Sequence, residues 1–174
     1  MKICIVLSTR PEIIKLSPII KILKKNRDNF YLINTNQHFL KSMSKVFFDF
    51  FKIKEKIFNI NPSKKSQYSF LSESINMISK ILKSNKPDYL IVQGDTNTSL
   101  AGCLATSFLN RSLSQKKKIK IVHIESGLRS FDETMPEEIN RKIIDRISNI
   151  LFVPTKFDYN NLKREDCLKK KKFL

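Results

Sequence analysis

The stretch Lys2-Ile3-Cys4-Ile5-Val6-Leu7-Ser8-Thr9-Arg10-Pro11-Glu12 decides the fold class. Six residues of nearly unbroken apolar, β-branched character suit a strand covered on both faces, which is the condition of a parallel sheet between helices. Pro11 follows at once and opens a helix, where its missing N–H costs nothing. Ile13, Ile14, Ile20 and Leu23 supply the buried stripe of that helix. A strand, a polar turn and a helix is the first half of a βαβ unit.

The unit then repeats along the chain. Strands are predicted at Phe30–Asn34, Ile57–Ile60, Tyr89–Val92, Ile119–Ile124 and Leu151–Val153. Helices are predicted at Ser42–Phe51, Gln67–Lys83, Thr96–Leu109, Glu137–Ile147 and Lys156–Arg164, with Thr155 as an N-cap. Ala101, Gly102 and Ala105 permit close packing of their helix. This alternation implies right-handed crossovers and an α/β, doubly wound parallel sheet of Rossmann-like type. The Gly-rich dinucleotide fingerprint is absent, since only Gly94, Gly102 and Gly127 occur, which argues against an NAD-type enzyme. Residues 1–165 are expected to form one domain. Residues 166–174 read as a Lys-rich tail without periodicity, as a truncation would leave.

Composition bounds the function. The 174 residues are 41% hydrophobic and 28% charged, as in an ordinary folded protein. No apolar run reaches the roughly 20 residues of a membrane span, and the start lacks a secretory signal pattern. Three cysteines, Cys4, Cys103 and Cys167, are an odd number with no metal spacing, which favours a reduced, cytoplasmic setting. Thirty-three basic against 16 acidic residues give +17, which invites a nucleic-acid reading. Two short stretches, Lys116–Lys120 and Lys163–Leu174, each carry a net +4 of that excess. The aromatics Phe47, Phe48, Phe50 and Phe51 read as the packed face of a helix, not as bases' stacking partners on a sheet. A solvated Lys surface is the preferred reading, with no nucleic acid and no membrane as partner.

Chemistry gathers where strands end, and in an open α/β sheet that edge is where ligands bind. Arg10 and Lys15 flank a helix N-terminus, which suits a phosphate, although Arg10 could equally pair with Glu12. Asp95 follows a strand and Gly94, either as the cap of the next helix or as an acid/base group. Glu125 ends a strand at Ser126-Gly127, where capping does not explain it. Glu137 and Glu138 open a helix, where the macrodipole alone would favour them. His38 faces the same rim as a structural or a functional residue, and His123 reads as a packed strand residue. Taken together, Asp95, Glu125 and one of the Glu137-Glu138 pair converge with Arg10. Crowded carboxylates push their pKa values apart, and neighbouring cations neutralise phosphate. Acid/base chemistry on a phosphorylated or nucleotide-bearing substrate follows.

Five ordered motifs resemble the non-hydrolysing UDP-N-acetylglucosamine 2-epimerase family: Ser8–Glu12, Thr35–His38, Gly94–Thr96, His123–Arg129 and Pro136–Arg141. The likeness continues through Asp145 to Phe152-Val153-Pro154-Thr155. The resemblance implies the N-terminal half of a two-domain, glycosyltransferase-B-type fold, with the second domain missing here. It also implies inversion at C2 of UDP-GlcNAc to give UDP-ManNAc, for surface polysaccharide precursors, without metal or other cofactor. Carried over by motif, Asp95, Glu125 and Glu137 correspond to the catalytic carboxylates. Arg10 and Lys15 correspond to phosphate contacts, His38 to a substrate-binding residue and Arg141 to a supporting cation. Ser8 and Asn36 stand where the family has Gly; Asn tolerates left-handed backbone. The chain alone is expected to be incomplete and inactive, with a UDP-sugar as ligand and a homodimer or a separately encoded C-terminal half as partner. A non-catalytic nucleotide-sugar-binding piece is the alternative, ahead of a basic nucleic-acid-binding domain.

Overall fold

Strand β1 (Lys2–Leu7) lies inside the sheet and pairs in parallel with β2 (Asn29–Asn34) on one side and β4 (Tyr89–Gln93) on the other. This computed structural model describes residues 1–36, 41–114, 117–168 and 172–173. Beyond β2 lies β3 (Ile57–Asn59); beyond β4 lie β5 (Lys120–Ile124), β6 (Ile150–Phe152) and β7 (Lys172–Phe173). The order is β3-β2-β1-β4-β5-β6-β7, and every pair is parallel. The chain winds outward from β1 to β3, then returns to wind the other way from β4. The strand order therefore reverses between β1 and β4, and a crevice opens at their carboxyl ends.

Alternation within β1 assigns its side chains. Ile3, Ile5 and Leu7 join Ile13, Leu16 and Ile20 of α1 (Arg10–Lys25) and Phe48 of α2 (Lys41–Phe50) on one face. Cys4 and Val6 turn to the other face, against Ile78 and Leu82 of α3 (Gln67–Asn85) and Ala101, Cys103 and Ala105 of α4 (Asn97–Arg111). Gly102 lets α4 approach closely, because a Cβ there would meet Val6 and Val92 at 3.4 Å. Helices α5 (Pro136–Ile147) and α6 (Lys156–Arg164) complete the layers. The three cysteines are free and buried, and burial pushes the Cys4 thiol up to about 12. No helix among the described residues is long and apolar enough to cross a membrane.

Two local features depart from the expected pattern. Pro18 lies inside α1, where it removes a helical donor, and the Ser17 hydroxyl donates to Ile14 O at 2.8 Å in its stead. At the other end, the Lys-rich stretch does not merely trail. Cys167 packs with Leu151 and Leu162, and Lys172–Phe173 adds a parallel strand beside β6, so structure continues past residue 165. A strand of two residues is too short to show any periodicity.

Candidate active site

The crevice at the switch point is a cleft of about 460 Å³. Its lining draws on four loops: Thr9 to Lys15 after β1, Gln93 to Asn97 after β4, Glu125 to Leu128 after β5, and Pro136 to Arg141 at the start of α5. Lys15, Asp95, Glu125, Glu137 and Arg141 thus share one cavity, although they come from segments more than 120 residues apart.

The first loop is built around Glu12. Thr9 is the N-cap of α1, and Glu12 completes a capping box with it. Glu12 is buried at 1% exposure, and its Oε2 accepts the backbone amides of Ser8 at 2.8 Å and Thr9 at 2.6 Å. Its Oε1 accepts the Thr96 hydroxyl at 2.7 Å and the Ser99 hydroxyl at 3.2 Å. Burial raises this carboxyl above its usual value, and the bonds from Thr9, Thr96 and Ser8 offset only part of that. The Ser8 and Thr9 amides are therefore committed to Glu12 and do not stand free for a phosphate. Nor does Arg10 pair with Glu12. It is exposed, lies outside the cleft lining, and rests its guanidinium 5.9 Å over the Phe47 ring.

The other loops pair cations with carboxylates. Thr96, not Asp95, caps α4, which leaves Asp95 to meet Arg141 Nη2 at 2.5 Å. Lys15 Nζ reaches both oxygens of Glu125, at 2.9 and 2.7 Å, and the Gln93 amide also donates to Glu125 Oε2. Glu125 has φ +71°, a left-handed conformation uncommon outside glycine and of the kind stored at functional sites. The acidic pair at the start of α5 divides. Glu137 is exposed and lines the cleft, whereas Glu138 is buried and accepts Arg141 at 3.0 Å and both Ser130 donors. Burial would raise Glu138, but those bonds outweigh it and hold it below the usual range. Asn140 ties the fourth loop to the second by donating to Asp95 O at 2.8 Å. His38 lies outside the described residues. Asn36 has left-handed backbone, at φ +48°.

A family profile described as UDP-N-acetylglucosamine 2-epimerase matches residues 21–173. The UDP-N-acetylglucosamine 2-epimerase of Methanocaldococcus jannaschii is 45% identical over 174 residues, covering 100% of this chain and 45% of that protein. The chain belongs to the UDP-N-acetylglucosamine 2-epimerase family. The Methanococcus maripaludis member is 48% identical over 164 residues, covering 94% of this chain and 42% of that protein. The crystal structure of the Methanocaldococcus jannaschii UDP-GlcNAc 2-epimerase in complex with UDP-GlcNAc and UDP superposes with a TM-score of 0.89 at 45% identity. It covers 100% of this chain and 46% of that one. The chain thus spans about half the length of these 2-epimerases.

Several residues at and behind the cleft escaped the sequence reading. Gln93 and Asn140 are polar groups in apolar or amphipathic patterns, and only the fold aims them inward. Glu12 was visible as a first-turn acid, yet its bonds to α4 depend on a contact 84 residues away. His123 and Asp145 form a buried pair at 2.7 Å, 22 residues apart, and no local spacing signals it.

Proposed function

We propose that this chain is the nucleotide-sugar-handling N-terminal half of a UDP-N-acetylglucosamine 2-epimerase, acting in a reduced, cytoplasmic setting on precursors of surface polysaccharide. The observation that supports it most is the shared cleft, in which three carboxylates and two cations from four loops meet at the topological switch point. Inversion at C2 needs a proton removed from one face of the sugar and returned to the other. Asp95, Glu125 and Glu137 are the groups proposed for those transfers. The C2–H bond breaks as its electrons form the C1=C2 bond, and the C1–O bond to UDP breaks with it. A 2-acetamidoglucal and UDP remain. Re-protonation at C2 from the opposite face and return of the UDP oxygen to C1 complete the inversion. Negative charge grows on the departing diphosphate, and Lys15 and Arg141 are the cations proposed to stabilise it.

Both cleft cations are engaged by carboxylates, Lys15 by Glu125 and Arg141 by Asp95 and Glu138. A bound diphosphate would compete with these carboxylates for the same cations. The open cleft covers little of a sugar nucleotide, so a second half of the fold is proposed to close it. Proton-exchange NMR of UDP-GlcNAc in D2O tests the proposal. Deuterium should enter C2 when this chain is combined with such a second half, and not with the chain alone. No incorporation with any second half, together with no binding of UDP by this chain, would refute it. UDP binding without incorporation would favour a non-catalytic nucleotide-sugar-binding role.

A further inference from the structure

We propose that His123 is a positioning residue that holds the Asp95 turn and the Glu125 turn in one fixed relation by donating hydrogen from both ring nitrogens. This deepens the functional reading above and rests on it for the meaning of the two turns. His123 is 1% exposed near the end of β5. Its Nδ1 lies 2.7 Å from Asp145 Oδ1, and its Nε2 lies 2.9 Å from the carbonyl oxygen of Gly94. A carbonyl oxygen only accepts. The Asp145 carboxyl only accepts as well. Its other oxygen accepts the Gly127 amide at 3.1 Å and faces the Arg129 guanidinium, as an ionised carboxylate does. With an acceptor on each side, both ring nitrogens must donate. A ring with one bare nitrogen would aim a lone pair at an oxygen.

The Asp145 carboxylate is fixed from its other side as well, because the fully buried Arg129 side chain pairs with it at 2.8 Å and with Glu165 at 2.5 Å.

The mechanical consequence lies in what the cluster grips. Gly94 O belongs to the peptide that joins Gly94 to Asp95, so His123 anchors the Asp95 turn from behind. Asp145 Oδ2 accepts the Gly127 amide at 3.1 Å, and the Ser126 hydroxyl donates to His123 O at 2.8 Å, so the Glu125 turn is fixed to the same pair. Gly94, Glu125 and Gly127 all have left-handed backbone, at φ +68°, +71° and +85°, which persists only where the surroundings over-determine it.

The test uses the full chain without ligand. Long-range 1H–15N correlation should show His123 with hydrogen on both ring nitrogens at neutral pH, and Asp145→Asn should convert it to one bonded and one bare nitrogen. In His123→Phe, amide exchange at Gly94, Ser126 and Gly127 should speed by about tenfold or more, while Cys4 to Val6 in β1 exchange as before. A bare nitrogen on His123 in the unaltered chain would overturn the proposal. So would exchange that quickens equally in β1, since that marks general destabilisation. If His123→Phe does not fold, the Asp145→Asn spectra decide alone. None of these readings uses a nucleotide, so a chain that fails to bind UDP would sink the functional reading and leave this one standing.

Discussion

Gly94 and Gly127 both hold left-handed backbone at the cleft, yet a methyl group at each would meet different surroundings. At Gly94 the nearest atom is a Glu125 oxygen at 3.9 Å, so alanine there pays the conformational penalty alone, about 1 kcal/mol. At Gly127 the added carbon would overlap the Asp158 backbone, which cannot yield as a side-chain tip can. Gly127→Ala should therefore cost about 3 kcal/mol or more, and denaturant unfolding of both variants would measure the difference. Equal losses would mean that the α6 backbone moves aside freely. The carboxylates call for another readout. In an assembly with a second half, Asp95→Asn or Glu125→Gln should lower kcat/KM by about a thousandfold while leaving thermal unfolding nearly unchanged, because each removes a group proposed for proton transfer from a solvent-facing edge. Rates close to the unaltered chain would remove both roles. Asp95 was legible as either a cap or a catalyst, and the structure gives the cap to Thr96. Arg10 was legible as a cation at the rim, but not its stacking on Phe47, a contact across 37 positions.

At the scale of elements, one carboxylate serves two helices. Glu12 closes the capping box of α1 and accepts hydroxyls from Thr96 and Ser99 at the start of α4, so the two sides of the switch point are joined through it. Glu12→Ala would leave buried amides and hydroxyls without an acceptor and should cost about 2–3 kcal/mol. Glu12→Gln keeps an acceptor for the amides and should cost less than about 1 kcal/mol. The pH dependence separates charge from shape. Burial, the largest influence, raises Glu12 above its ordinary 4.5, so the folded chain holds that proton more tightly than the unfolded one. This contribution is complete below 4.5 and is lost as pH rises through the higher folded value. Urea unfolding at a series of pH values should show that decline, and Glu12→Gln should flatten it. An unchanged slope would assign the dependence to other groups. The start of α1 was legible from Pro11, and the end of α6 from its sequence pattern. β7 was not legible, because its two residues take their conformation from β6 alone.

For the whole molecule, the alternation of apolar runs and amphipathic stretches was enough to read a parallel, doubly covered sheet. The strand order that places β1 beside β4 was not, since pairing across 86 residues leaves no mark in either strand. The same limit applied to charge. A net +17 was plain in composition, but not which basic side chains are answered. Among the described residues, ion pairs with carboxylates engage Lys15, Lys24, Arg129, Arg141 and Lys142. The other lysines stand mostly on the exposed surface, where like charges repel and the compact state suffers for it. Salt screens such repulsion, the Debye length falling from roughly 30 Å at 0.01 M to roughly 3 Å at 1 M. The buried Asp145–Arg129 pair has no exposed side-chain surface and is screened far less. The melting temperature should therefore rise by several degrees when sodium chloride is raised over that range, as scanning calorimetry would show. A fall would mean that surface ion pairs such as Lys142–Glu133 and Lys24–Glu55 contribute more to the fold than the lysine surface takes from it.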